Sequence, residues 1–247
     1  MSRLNVHLNI FLQALCLSLT SFSTLSYAEE APLFDQDPHY TEVGFFDMHI
    51  CNWPDRPRFF KILFATEKFA DITAMEVFDP SGHSITVLEK SRFMPLKRKN
   101  KPEKRVFLVD LDVPDSATTG WYTINVKTAD GKQYVAKDYM PLARIKRVTG
   151  MMPLSNAESV ALPVKLKWKK VTGAGFYKVY IRDEWSGEMV FHSKLISDNK
   201  VQIPEGKLEG GGYYSWVVHA RDLNEHIMLG DFHMGSMSEK SFFTVAD

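Results

Sequence analysis

The chain has 247 residues, its 30 Lys and Arg are matched by 30 Asp and Glu, and 45% of it is hydrophobic. Zero net charge argues against a general nucleic-acid binder, and the length suits two domains of about 100 residues each. No stretch after the N-terminal segment is apolar enough to span a bilayer, so no membrane span is expected. Residues 1–28 read as a signal peptide: Arg3 is the only charge, Ile10 to Leu19 is apolar, and Ser26-Tyr27-Ala28 precedes Glu29-Glu30. Small residues three and one positions before the cut are what signal peptidase requires. Leu15 before Cys16 is too large for lipoprotein processing, so cleavage after Ala28 is expected. The bacterial style of the signal implies a periplasmic product, with secretion or surface display as alternatives. Residues 29–39 carry Pro32 and Pro38 without periodicity and read as a flexible leader.

Strand signals begin near Tyr40. Val43 to Ile50 is apolar on both faces, and Phe59 to Ala65 alternates less cleanly. Ile72 to Phe78 and Ile85 to Leu88 flank Asp79-Pro80-Ser81-Gly82, where Pro presets φ, Asp caps the turn and Gly takes the left-handed position. Phe107, Val109, Leu111 and Val113 share one face, as do Tyr122, Ile124 and Val126; Asp130-Gly131 is a hairpin turn. So many short strands in residues 40–142 predict an antiparallel β-sandwich. Gly120-Trp121-Tyr122-x-Ile124-x-Val126 resembles the sixth strand of bacterial immunoglobulin-like domains.

Residues 143–247 repeat the pattern. Val164, Leu166 and Trp168 alternate with Lys165, Lys167 and Lys169; Tyr177, Val179 and Ile181 alternate with Lys178 and Arg182. Gly210-Gly211-Gly212 makes a corner before Tyr214, Trp216, Val218 and Ala220. Leu166-x-Trp168, Tyr177-x-Val179 and Leu208 six residues before Tyr214 resemble the fibronectin type III domain. That resemblance implies a tyrosine corner in which Leu208 and Tyr214 lock a loop over the core and Trp168 fills the sandwich. The lysine stripe and Lys178 then belong to different sheets. The expected fold is all-β: two tandem antiparallel β-sandwiches, immunoglobulin-like over 40–142 and fibronectin type III-like over 143–247. Fold alone says little about function.

No enzyme motif is present: no phosphate-cradling Gly loop with Lys, no His-Glu-x-x-His, no Gly-x-Ser-x-Gly and no paired-cysteine metal site. Asp110 and Asp112 share a strand face and read as a solvated pair. The protein is therefore expected to be non-enzymatic and to need no cofactor. Cys51 is the only thiol left after signal cleavage and reads as a small core residue at a strand end, although His49 and Trp53 beside it leave a reactive or metal-binding role open. The connection from Asp222 to Met237 is long and holds His226, Met228, Asp231, His233, Met234 and Met237. Long loops on rigid sandwiches commonly bind. His226, Asp231 and His233, with the basic run Lys97-Arg98-Lys99, are the candidate contacts for an envelope protein partner. Two alternatives remain open. Copper handling requires His226, His233 and two sulfurs among Met228, Met234 and Met237 to converge on one point. A carbohydrate-binding module requires Trp53, Trp121, Trp185 and Tyr213 to form an exposed row.

Overall fold

The expected alternation becomes strands throughout the computed structural model, which describes residues 37–97, 99–223 and 232–247; none of these residues is helical. The signal peptide and most of the leader lie outside the described residues. From Pro32 onward the chain forms one unit. In chain order the strands are β1 (Tyr40–Thr41), β2 (Gly44–Asn52), β3 (Phe59–Thr66), β4 (Ile72–Phe78), β5 (Ser84–Val87), β6 (Phe93–Leu96), β7 (Lys104–Asp112), β8 (Gly120–Thr128) and β9 (Gln133–Met140). The second half contributes β10 (Ala157–Val160), β11 (Lys165–Lys167), β12 (Phe176–Asp183), β13 (Met189–His192), β14 (Lys200–Gln202), β15 (Tyr213–Arg221), β16 (Met234–Met237) and β17 (Ser241–Val245).

The first lobe sandwiches a four-stranded sheet, ordered β5-β4-β8-β9, against β2, β3, β7 and β6. Phe46, Met48, Ile50, Phe60, Ile62 and Phe64 point inward from one layer, and Met75, Val77, Tyr122, Ile124 and Val126 from the other. Each such side chain removed from water contributes about 1.5–3 kcal/mol. Asp79 shapes the β4–β5 turn as expected: its Oδ1 accepts from the Ser81 and His83 amides, and Gly82 adopts φ 84°. Asp138, fully buried on β9, accepts from the Met48 amide at 2.6 Å and meets the His39 ring at 3.1 Å. It ties the two layers together where β2 forgoes a ladder bond.

In the second lobe Trp168 packs edge-on against Tyr177 at 5.4 Å and beside Trp216 at 6.4 Å. The tyrosine corner is present: the Glu209 amide donates to Tyr214 Oη at 2.9 Å, over a buried Leu208. The first lobe has a counterpart in Tyr122, whose hydroxyl donates to the Thr118 carbonyl at 3.0 Å. Tyr214→Phe leaves the Glu209 N–H without its acceptor and should cost about 1–3 kcal/mol, read as a lower urea midpoint at unchanged slope. An unchanged midpoint would show that the corner has no energetic weight.

The stretch from Asp222 to Met237 is not loop throughout. It ends in β16, which pairs with β15 on one edge and, in parallel, with β2 of the first lobe on the other. The partners are Met234 with Ile50, Gly235 with Cys51 and Ser236 with Asn52. A break at Ser238–Lys240 separates β16 from β17, and Ser238 repairs it: its Oγ accepts from the Val218 amide at 2.9 Å. Ser236 Oγ donates to the Lys146 carbonyl at 2.8 Å, fastening the inter-lobe connection behind the seam. One sheet thus runs through both lobes, and β2 is buried on both faces because each is covered.

Candidate functional site

Side chains that are neighbours across a ladder share a face. Reading across the fused sheet gives Asp112, Phe59, Cys51, Gly235 and Arg221 in one row, with Lys61 beside His49 and with Lys178, His219 and Met237 in another. These are the polar alternates of strands whose other faces fill the two cores. At the seam Cys51, Arg221, Lys61, His49, His219 and Met237 of these rows line a cleft of about 510 Å³ whose walls also include Trp53, Tyr180, Arg182, Met189 and Lys240.

The floor is built around a glycine. A Cβ on Gly235 would stand 2.5 Å from Phe232 and 2.6 Å from His219 Nε2. Phe232 occupies the notch instead. Its ring stacks on His49 with centroids 3.9 Å apart, meets His219 edge-on at 5.2 Å, and lies 4.4 Å beneath the Arg221 guanidinium. The Phe232 carbonyl accepts from His49 Nδ1 at 2.8 Å, which fixes the proton of the neutral ring on that nitrogen. Asp47 Oδ1, fully buried, is 3.3 Å from the same nitrogen. The Asp222 carboxylate closes the mouth of the excursion, accepting from the Leu223 and Met234 amides.

Burial sets the protonation states. It lowers His49 to about 3 and His219 well below the ordinary range, and the nearby Arg221 charge pushes both further down. Burial also pushes the Cys51 thiol up to about 12. Near neutral pH both rings are uncharged and the thiol keeps its proton, so Cys51 is a packed residue rather than a nucleophile. Burial likewise lowers the Arg221 guanidinium, countered by Tyr180 and Asp47.

No described residue lining the cleft is Asp or Glu, while Lys61, Arg182, Arg221 and Lys240 all reach it. Lys61 is held by Asp110 at 2.6 Å, and Arg56 bridges Asp110 and Asp112 at 3.0 Å each. That pair is therefore a cation-bound flank of the cleft. Among the described residues Arg182 donates to the Gly187 carbonyl and to no other group, and Lys240 lies 5.7 Å from the Phe242 ring centre.

The candidates singled out in the sequence are distributed unevenly. His226, Met228, Asp231 and Arg98 lie outside the described residues. Met237 lines the cleft, whereas Met234, three residues earlier, packs into both cores on the opposite face. Their sulfurs do not converge. His233 Nδ1 is 3.9 Å from Asp222 Oδ2. Among the described residues no group of three or more His, Cys, Asp or Glu is placed to hold a metal ion. Lys97 and Lys99 are exposed at the turn leading to the Lys104 end of β7, whereas the cleft flanks its Asp110 end. Trp121 and Tyr139 form an exposed edge-on pair on the four-stranded sheet, Trp185 caps the β12–β13 turn, Tyr213 stacks on Phe242 and Trp53 lines the cleft. They do not make one row. Lys165 and Lys167 are on the two-stranded sheet and Lys178 on the large one.

The sequence pointed to His49 only as a neighbour of Cys51, and His219, Arg221 and Phe232 carried no signal of their own. The usable signal was Asp47 and His49 inside a strand otherwise apolar on both faces.

No family model and no curated protein matches this chain. Solved structures to which it is similar include trypsin-activated alpha-2-macroglobulin from Escherichia coli, at 13% identity and a TM-score of 0.27, covering 85% of this chain and only 16% of that one. Tandem Ig repeats of Dlar match at 11% identity and a TM-score of 0.34, covering 81% of this chain and 94% of that one. SGBP-B of the Bacteroides ovatus mixed-linkage glucan utilization locus, in complex with a mixed-linkage heptasaccharide, matches at 14% identity and a TM-score of 0.22, covering 78% and 42%. Scores this low carry no argument about function; the all-β sandwich assignment rests on the sheets themselves.

Proposed function

We propose that this is an exported, non-enzymatic binding protein of the cell envelope that engages a protein partner through the seam cleft. The observation that carries the reading is the contrast between the cleft's shape and its protonation chemistry. It is concave and lined with aromatic, apolar and cationic side chains, as binding sites are. Yet its buried titratable groups, His49, His219 and Cys51, are driven away from the range in which they would exchange protons or attack a substrate. Placing the cleft on a sheet shared by two lobes makes it rigid, which limits the entropy lost on binding.

A photo-crosslinking amino acid at Met189, on the exposed rim, should give a discrete protein adduct in cells. The same probe at Val135, exposed on the outer face of β9, should not. Equal labelling from both positions, or none from either, overturns the reading.

A further inference from the structure

Resting on that reading, we infer that the cleft is an anion seat, and that what it takes from the partner is a segment presenting a carboxylate next to an apolar side chain. The cleft carries uncompensated positive charge. Of the four cations at the cleft, Lys61 has Asp110 and Arg221 has the buried Asp47 behind it. Arg182 and Lys240 have no carboxylate partner among the described residues, and both are exposed on the rim. Glu184, just past β12, accepts from the hydroxyl of Ser215, a lining residue, and makes no ion pair with Arg182. Two positive charges therefore face a hollow from which acidic side chains are absent among the described lining residues, in a chain whose total charge is zero.

The Trp53 indole and the His219 ring line the cleft beside these cations. An acceptor entering between Trp53 and Arg182 would meet the Arg182 guanidinium and, among the described lining residues, no carboxylate. The apolar companion has its place as well: Leu63, Met189, Met237 and the Tyr180 ring are among the lining residues. Charge-assisted hydrogen bonds to guanidinium and ammonium groups would fix the carboxylate, and the apolar wall would supply the buried area.

The test uses the full chain and two dyes with the same apolar body. Anilinonaphthalene sulfonate carries an anion; phenylnaphthylamine does not. The sulfonate should bind saturably at one site and at least about tenfold more tightly than the neutral dye, with affinity falling as salt rises. Arg182→Gln with Lys240→Gln should abolish most of that difference by weakening the sulfonate. Lys169→Gln with Lys170→Gln, on the far side of the connection, should change neither. Equal affinity for the two dyes, no binding of the sulfonate, or indifference to the Arg182 and Lys240 substitutions overturns the anion seat. The same double variant should weaken the Met189 crosslink to the partner by about tenfold. If the dyes discriminate but the crosslink persists undiminished, the carboxylate does not come from the partner and that assignment is overturned. A partner adduct together with dye indifference defeats the anion seat and leaves the protein-binding reading standing.

Discussion

Acidification from about pH 7 to about pH 4 should remove a large part of the folding free energy, and the loss should trace to His49 and His219. Both rings are neutral in the fold because they are buried, and Arg221, Lys61 and Lys178 resist a further positive charge among them. The sign follows from proton binding. Below an ordinary histidine value of 6.5 the unfolded chain takes up a proton that folded His49 refuses until about pH 3. Stability is therefore fully present above 6.5 and falls with pH across that window, by ~1.4 kcal/mol per pH unit for each such histidine. For His49 two units amount to ~3 kcal/mol, a large share of the stability of many domains, and His219 adds in the same direction. Asp222, raised by burial, works in the opposite direction only near the carboxylate range. Urea titrations across the pH series are the measurement. His49→Gln and His219→Gln should each flatten the profile, whatever they do to stability at neutral pH. Profiles parallel to that of the unsubstituted protein would show that the rings are not the acid-labile groups.

The second large effect concerns the seam. Because β16 belongs to the ladders of both lobes, the lobes should melt together, in one calorimetric transition whose enthalpy equals the van't Hoff value. Gly235→Val should lower that transition sharply. Its Cβ alone would intrude on Phe232 and His219, so the ring must leave the notch or β16 must draw away from β2. Overpacking of this kind costs roughly 2–3 kcal/mol, or on the order of 5–10 °C for a chain this long. Two resolved transitions in the unsubstituted protein would mean that the lobes unfold independently and that the shared ladder does not couple them.

What was legible in the sequence was local. Asp79 to Gly82, Asp130-Gly131 and the spacing of Leu208 to Tyr214 each encode a structure within a few residues, and the alternation of Leu166 and Trp168 or Tyr177 and Val179 states which face is inside. The seam has no such signature. The contact between Ile50 and Met234 joins opposite ends of the folded chain, and neither strand reveals its partner. The cleft was hidden for a related reason. Lys61, Arg182, His219 and Arg221 occupy alternate positions that, strand by strand, read as an ordinary solvated face. Only the fusion of the two sheets turns those faces toward one hollow. Because the stretch read as loop ends in a strand, Met234 and Met237, three residues apart, fall on opposite faces of the sheet.

The parallel pairing also orders events in time. Synthesis begins at the N-terminus, yet beyond the start covered by β1, the Ile50–Asn52 end of one edge of β2 has no ladder partner until Met234 to Ser236 have been made. Until then the first lobe presents an open strand bearing Ile50 and Cys51, the kind of edge that recruits other chains. Contacts this distant in sequence also form slowly, because a large loop must close before they contribute. The nascent chain therefore depends on being shielded until almost its last strands emerge, and a protein truncated shortly before β16 should aggregate even though every residue of its first lobe is present.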